Sequence, residues 1–354
     1  MRLPRNAHIW LPGYLKDRAA ARLRPAARRI WVAITDHYEP FWGGAGEELA
    51  TERVELWMKD WPRVAAGVSD SAGRSPVYSF FYPEEEYRPH LMDRLSELVR
   101  AGIADVEVHL HHDGEGEQDF IDRISGFTEI LASRHGLLHK QNGRPVFGFI
   151  HGNWALDNSR PDERKCGLNN ELSLLLRLGC YADFTLPSAP HATQTRMVNT
   201  IYWATDDPGR PKSHDTGIPV RVDPATADPE AALLMIPGPL GIRSRWLGNG
   251  DRVFPRLEIG EVASYDPPTP ARVKAWLDLS PRIGDDIFVK LYTHGTQERH
   301  SAFLLNEGLR QAFGWMKEAA GRRGQSLYFA SAWQLKLAVD AARRGQDPRA
   351  AALG

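Results

Sequence analysis

Short apolar runs rich in Val, Ile, Phe, Tyr and Ala recur along this chain, and between the early ones apolar residues return at helical spacing. The extended runs predict strands over Arg29 to Thr35, Pro76 to Tyr82, Asp105 to His111, Pro145 to His151, Cys180 to Leu186, Ala232 to Ile236, Asp286 to Thr293 and Ser326 to Ala330. The helical spacing predicts helices over Glu47 to Ala66, Arg88 to Ala101, Glu117 to His135 and Leu168 to Leu178. Strands alternating with helices favour an α/β fold in which a parallel sheet or barrel is wrapped by helices. The regular pattern lapses between about residues 187 and 270, which are rich in Pro, Gly and Asp. That stretch reads as a long insertion, a β-hairpin excursion over the barrel mouth, and segments of this kind usually carry function. Residues 1–28 read as a basic N-terminal arm and residues 341–354 as a frayed helical tail.

Composition narrows the classes. A chain of 354 residues, 42% hydrophobic and 25% charged, is long enough to bury one large core. Its 44 basic and 45 acidic residues leave a formal charge of −1, which argues against a nucleic-acid partner. No apolar stretch has the length of a signal peptide or a transmembrane segment, so a cytoplasmic location is expected. Cys166 and Cys180 fit neither a zinc ribbon nor a disulfide framework, and two buried, reduced thiols are expected. Neither a Gly-rich phosphate loop nor a Gly-x-Ser-x-Gly elbow stands out.

In parallel α/β folds the active site forms at the carboxyl ends of the strands. Polar residues gather there in this chain: Asp36-His37-Tyr38-Glu39, His109-Leu110-His111-His112-Asp113, His151-Gly152-Asn153-Trp154, Asp183 and His294-Gly295-Thr296. Residues two apart on a strand share a face, so Glu107, His109 and His111 project together while His112 faces the other way. Imidazole and carboxylate together form the ligand set of a hydrolytic Zn, Fe, Co or Mn centre.

The segment Val32 to Pro40 resembles the apolar strand ending in Thr-Phe-Asp-Asp-Gly-Pro that opens the metal-dependent polysaccharide deacetylases of carbohydrate esterase family four. Glu107-Val108-His109-Leu110-His111 followed by Glu115 is similar to that family's second motif, Glu-Ile-Gly-x-His with a further His downstream. His294 at a strand end resembles its last motif, and Leu327 to Leu335 its closing strand and helix. The resemblance runs from about Arg29 to Val339 and leaves the insertion unmatched. It implies a deformed (β/α)7-type barrel over residues 29–340, interrupted between the fifth strand and the late strands. It also implies a divalent metal, Zn first with Fe, Co, Mn or Ni as alternatives, held by His37, His111 and Glu115 in place of the family's Asp-His-His triad. Asp36, Glu39, His109 and Asp113 stand as alternates in that register. The family's arginine motif is replaced by His151 to Trp154.

The implied activity is metal-dependent removal of an N- or O-linked acetyl group from a sugar or polysaccharide precursor. Asp36 is the expected general base, His294 the proton donor to the leaving group, and the N–H near Tyr38 the oxyanion donor. Carbohydrate contacts are expected from His151, Asn153, Trp154, Asp183 and His214. Tyr202, Trp203 and Trp246 are further stacking candidates, and Arg243, Arg245, Arg252 and Arg256 could bind an anionic group. Two other classes compete: a metal-free glycoside hydrolase using Asp36 and Asp183, and a catalytically inactive glycan-binding or scaffold protein. Metal content separates the first from a metalloenzyme, and acetate release separates the second.

Overall fold

The computed structural model describes residues 3–246 and 253–354. A mostly parallel sheet runs through a mixed α/β body, and β1 (Arg29–His37) pairs with three other strands in it. Along one edge β1 pairs in parallel with β13 (Asp286–Thr293), from Arg29 opposite Asp286 to Asp36 opposite Thr293. Its other edge is shared, with β14 (Ser326–Phe329) at its start and β2 (Tyr78–Pro83) at its end. The sheet continues in parallel through β3 (Ala104–Leu110), β5 (Arg144–His151) and β6 (Cys180–Asp183). A short β4 (His139–Gln141) folds back onto β5. Helices α2 (Glu47–Ala66), α3 (Pro89–Arg100), α4 (Glu117–Ser133) and α5 (Glu171–Arg177) make the crossovers. Each of the predicted strands and each of these helices has its counterpart here, within a few residues at the ends.

The insertion is more regular than its composition implies. β9 (Ala232–Met235) joins the main sheet beside β6, with β7 (Tyr202–Thr205) and β8 (Ile218–Pro219) antiparallel beyond it. The expected hairpin is present as β10 (Gly241–Trp246) and β11 (Val253–Glu258), in a sheet of its own. After α6 (Pro270–Leu279) and β12 (Arg282–Ile283), the chain passes β13 into α7 (Glu298–Phe303) and, through a π turn, α8 (Leu309–Arg322). The last helices are α9 (Ala332–Arg343) and α10 (Pro348–Ala352). Ser331 and Gln334 start α9 with a reciprocal capping box.

Both chain ends are docked onto the body. Within the basic arm, α1 (Ala7–Ala21) buries Trp10 against Val198 and Leu240, and Asp17 accepts a 3.0 Å bond from Asn199 Nδ2. The tail expected to fray instead holds the end of α9, where Arg343 donates to the carbonyls of Asp223 and Thr226, and α10.

Strand alternation divides the core. Ile30, Val32 and Ile34 of β1 face the helices and pack with Trp57 and Trp61 of α2. Trp31 and Ala33 face the concave side, with Phe81, Phe288 and Leu335 of α9. Backbone pairing among the described residues does not close the sheet into a barrel: its order ends at β12 on one side and β8 on the other. The Lys290 ammonium of β13 nevertheless donates 2.9 Å to the carbonyl of Leu186, just beyond β6. The Gly238 N–H reaches the same carbonyl at 2.9 Å.

Candidate metal centre

His37 ends β1, Glu39 follows it, and His109 lies on β3, so the three straddle the end of β2. One donor atom from each lies within 4.8 Å of the other two. Glu39 Oε1 is 3.4 Å from His109 Nε2 and 3.7 Å from His111 Nε2. His37 and His109 are buried, and His37 Nδ1 and both ring nitrogens of His109 have no hydrogen-bond partner. Burial pushes both imidazoles below their ordinary pKa, with further push on His37 from the charges of His294 and His109. Burial alone would raise Glu39, but His109 at 3.4 Å, with the charges of His111 and His294, brings it below its ordinary value. Buried neutral imidazoles with unused lone pairs beside a carboxylate fit a divalent cation.

Two histidine–carboxylate pairs flank this group. His111 Nδ1 is 2.5 Å from Glu85 Oε1, which leaves Nε2 turned toward Glu39. His294 Nδ1 lies 3.7 Å from Glu261 Oε1, and its ring centroid is 4.8 Å from that of His37. Burial lowers both His111 and His294, yet their carboxylate neighbours prevail and both end above the ordinary imidazole value. Two glycines make room for these rings and loops. A Cβ on Gly152 would sit 2.3 Å from His111 Cδ2, and one on Gly295 would sit 2.1 Å from Asp36 Oδ2. Trp154 walls the group, its ring 5.8 Å from His37, 6.2 Å from His294 and 5.7 Å from His191. A cleft of about 500 Å³ lined by Glu261 and one of about 490 Å³ lined by His191 adjoin at Pro190.

The other expected site residues fall in different places. Glu115 is not with His37 and His111: past the Gly114 turn it binds Arg123 at 3.0 Å and the Asp113 N–H. Asp113 lies at the surface, where the Lys165 N–H reaches it at 2.6 Å. Asp36 faces the helices, accepting 3.0 Å from Tyr78 Oη and 2.7 Å from the Gly295 N–H, and burial raises its carboxyl to about 7. It therefore holds the His294 loop, because β1 stays extended through His37 and adjacent strand residues face opposite sides. The Tyr38 N–H is spent on the Phe81 carbonyl at 3.0 Å. Asn153 belongs to the turn behind the centre, its N–H 3.2 Å from His151 Nδ1. His151 itself is buried on the helix side of β5, in contact with His112. His214 is buried beside Asp157, its Nδ1 4.0 Å from Asp157 Oδ2. Arg243 and Arg272 are occupied by Glu258 and Asp266. Arg252 and the side chains of Arg245 and Trp246 lie outside the described residues. Glu39, Glu85 and Glu261 complete the group; Glu39 was an alternate in the ligand register, whereas Glu85 and Glu261 carry no local signal in the sequence.

Asp183 is buried inside the sheet, and both its oxygens are taken by Thr185, whose hydroxyl also receives the His151 N–H at 2.9 Å. Burial raises its carboxyl from 3.8 to about 7, despite the Thr185 bonds. The folded state thus binds a proton that the unfolded state has released between pH 4 and 7, and stability falls as pH rises through that window. Asp183→Asn is expected to flatten this slope in urea titrations from pH 4 to 7; an unchanged slope assigns it to other groups.

Neither the protein-family models nor the curated proteins contain a match to this chain. Among the described residues, no helix is long and apolar enough to cross a membrane.

Proposed function

We propose that the protein is a metal-dependent hydrolase that removes an acetyl group from a sugar or polysaccharide precursor. The observation that carries this reading is the trio His37, Glu39 and His109, with its unpartnered, buried ring nitrogens at the carboxyl end of the sheet. In this reading the sheet is a deformed (β/α)7-type barrel whose open seam is bridged by Lys290. A divalent ion held by the trio, zinc first, supplies polarisation of the acyl carbonyl and acidification of water.

This chain's own residues supply the proton transfers. His111, backed by Glu85, takes the proton of the attacking water through Nε2, and a dication beside it opposes the upward shift of its pKa. His294, backed by Glu261 on the opposite flank, gives a proton to the departing amine or alkoxide. Asp36 keeps the His294 loop in place through the Gly295 N–H, while Trp57 Nε1 holds the Gly295 carbonyl at 2.9 Å. Trp154 offers an apolar face for a sugar ring, and the two adjoining clefts give an extended glycan room on either side.

The test is acetate release from N- and O-acetylated oligosaccharides by zinc-loaded protein. Release is expected, with a loss of about 10²–10⁴-fold in His294→Gln, the range for a general acid. Metal-loaded protein that binds glycans without releasing acetate would instead establish the inactive glycan-binding reading.

A further inference from the structure

On the helix-facing side of the sheet lies a second group of donors, which neither the acetyl-transfer chemistry nor its metal uses. His112 follows β3, His151 ends β5, Cys166 sits in the connection between β5 and α5, and Glu171 opens α5. All four are buried, and one donor atom from each lies within 4.8 Å of the other three. Glu171 Oε1 is 3.1 Å from His112 Nε2 and 3.9 Å from His151 Nε2, and Glu171 Oε2 is 3.3 Å from Cys166 Sγ. His151 Nε2 is buried, has no hydrogen-bond partner and faces that carboxylate.

We propose that His112, His151, Cys166 and Glu171 form a second metal site, a closed tetrahedral zinc site separate from the first centre.

Four lines support it. The donors are two nitrogens, one sulfur and one oxygen, the usual set for zinc, whose ligands at about 2.0–2.3 Å stand roughly 3.3–3.8 Å apart in a tetrahedron. With every separation within 4.8 Å, none needs to shrink by more than about 1 Å to meet that geometry. Charge also balances, since a thiolate and a carboxylate neutralise a dication and leave no net charge in a buried place. The supporting contacts are in position. Cys166 Sγ receives the N–H groups of Asn158 at 3.2 Å and Leu168 at 3.5 Å, and Glu171 Oε2 receives that of Asp157 at 2.6 Å.

The location gives the ion a task. The connection from β5 to α5 has no helix or strand, and it holds Trp154, Asp157, Asn158, Glu163 and Lys165 at positive φ. Long connections of this kind need anchoring, and an ion tying Cys166 to both strand ends and to α5 would supply it. Because Trp154 on the same segment walls the first centre, the zinc site would also set one side of that centre. With four protein ligands no coordination position is left for substrate, so its role is structural. On loading, the Cys166 thiol releases its proton to solvent. His151 binds through Nε2, so its ring proton resides on Nδ1 and the Asn153 N–H, now 3.2 Å from Nδ1, turns away.

The experiment uses the full chain, stripped with a chelator and reloaded with Zn²⁺ or Co²⁺. Two equivalents are expected, with one lost in Cys166→Ser and the other lost in His109→Ala. The cobalt form should show a near-ultraviolet thiolate-to-cobalt charge-transfer band that survives in His109→Ala and disappears in Cys166→Ser. Should Cys166→Ser fail to fold, X-ray absorption of the wild-type zinc protein decides, since a sulfur neighbour at about 2.3 Å is required. Wild-type protein with neither the band nor a sulfur neighbour overturns the proposal. A single equivalent kept in His109→Ala and lost in Cys166→Ser would support this site while removing the first centre.

Discussion

Alanine at His109 is expected, under the proposed function, to empty the first metal centre and to lower acetyl hydrolysis by at least about 10³-fold, beyond the 10–100-fold typical of losing an outer partner. The reason is geometric. His109 is fully buried on the concave side of β3, both its nitrogens lack partners, and Glu39 stands 3.4 Å away. Removing the ring strips no other group of a hydrogen bond, so the fold should survive with a loss of about 0.5–3 kcal/mol, as for most single substitutions. Elemental analysis and acetate release, measured on protein whose circular dichroism matches wild type, make the check. A His109→Ala protein that keeps full metal and activity would take His109 out of the ligand set and shift the centre toward His111.

The largest effect on stability is expected at Glu258. Its buried carboxylate receives Arg272 at 2.7 and 2.9 Å, Trp276 Nε1 at 2.9 Å and the Gly260 N–H at 3.1 Å, and Arg243 Nε lies 2.7 Å away. Glu258→Ala would leave two guanidinium groups out of water with Asp266 as their remaining carboxylate, and one-sided removal of a buried ion pair costs about 3–5 kcal/mol. Replacing Glu258, Arg243 and Arg272 together by apolar residues of similar volume should recover much of that loss. Urea unfolding of the single and triple variants decides. A single variant as stable as wild type would mean that the arginines turn outward and find water.

The sheet was legible because buried parallel strands read as apolar runs, and the gathering of histidines at their ends located the candidate centre. Period-two alternation placed His109 and His111 together and put His112 on the opposite face, where it packs against Phe120 of α4. Applied to β1, the same rule turns Asp36 away once His37 faces inward, but the reading of Asp36 as base assumed that the strand ended earlier. Glu115 was assigned by motif spacing, and the Gly114 turn carries it to Arg123 instead. Glu85 and Glu261 reach the site from distant segments, and no local pattern marks a carboxylate that meets its histidine only in the folded chain. Cys166 was read as an inert buried thiol. Its burial agrees, but its neighbours His112, His151 and Glu171 come together only through the sheet order. Within the insertion β9 and the hairpin were legible, whereas β7 and β8 were not, because Pro, Gly and Asp crowd these short runs and antiparallel pairing beyond β9 decides them.

The position of β1 has a consequence for how the chain is made. Arg29 begins β1, yet its bonded partner Asp286 is 257 residues further along, and β14 comes later still. At 5–20 residues per second, β1 leaves the ribosome roughly 10–50 s before β13 exists to cover one edge and β14 the start of the other. During that interval Trp31 and Val32 have no strand on either side, and Ile34 and His37 have only β2, which makes this segment a natural stop for a holdase chaperone. The protein's yield in a cell should therefore respond to chaperone supply and translation speed more than its equilibrium stability suggests.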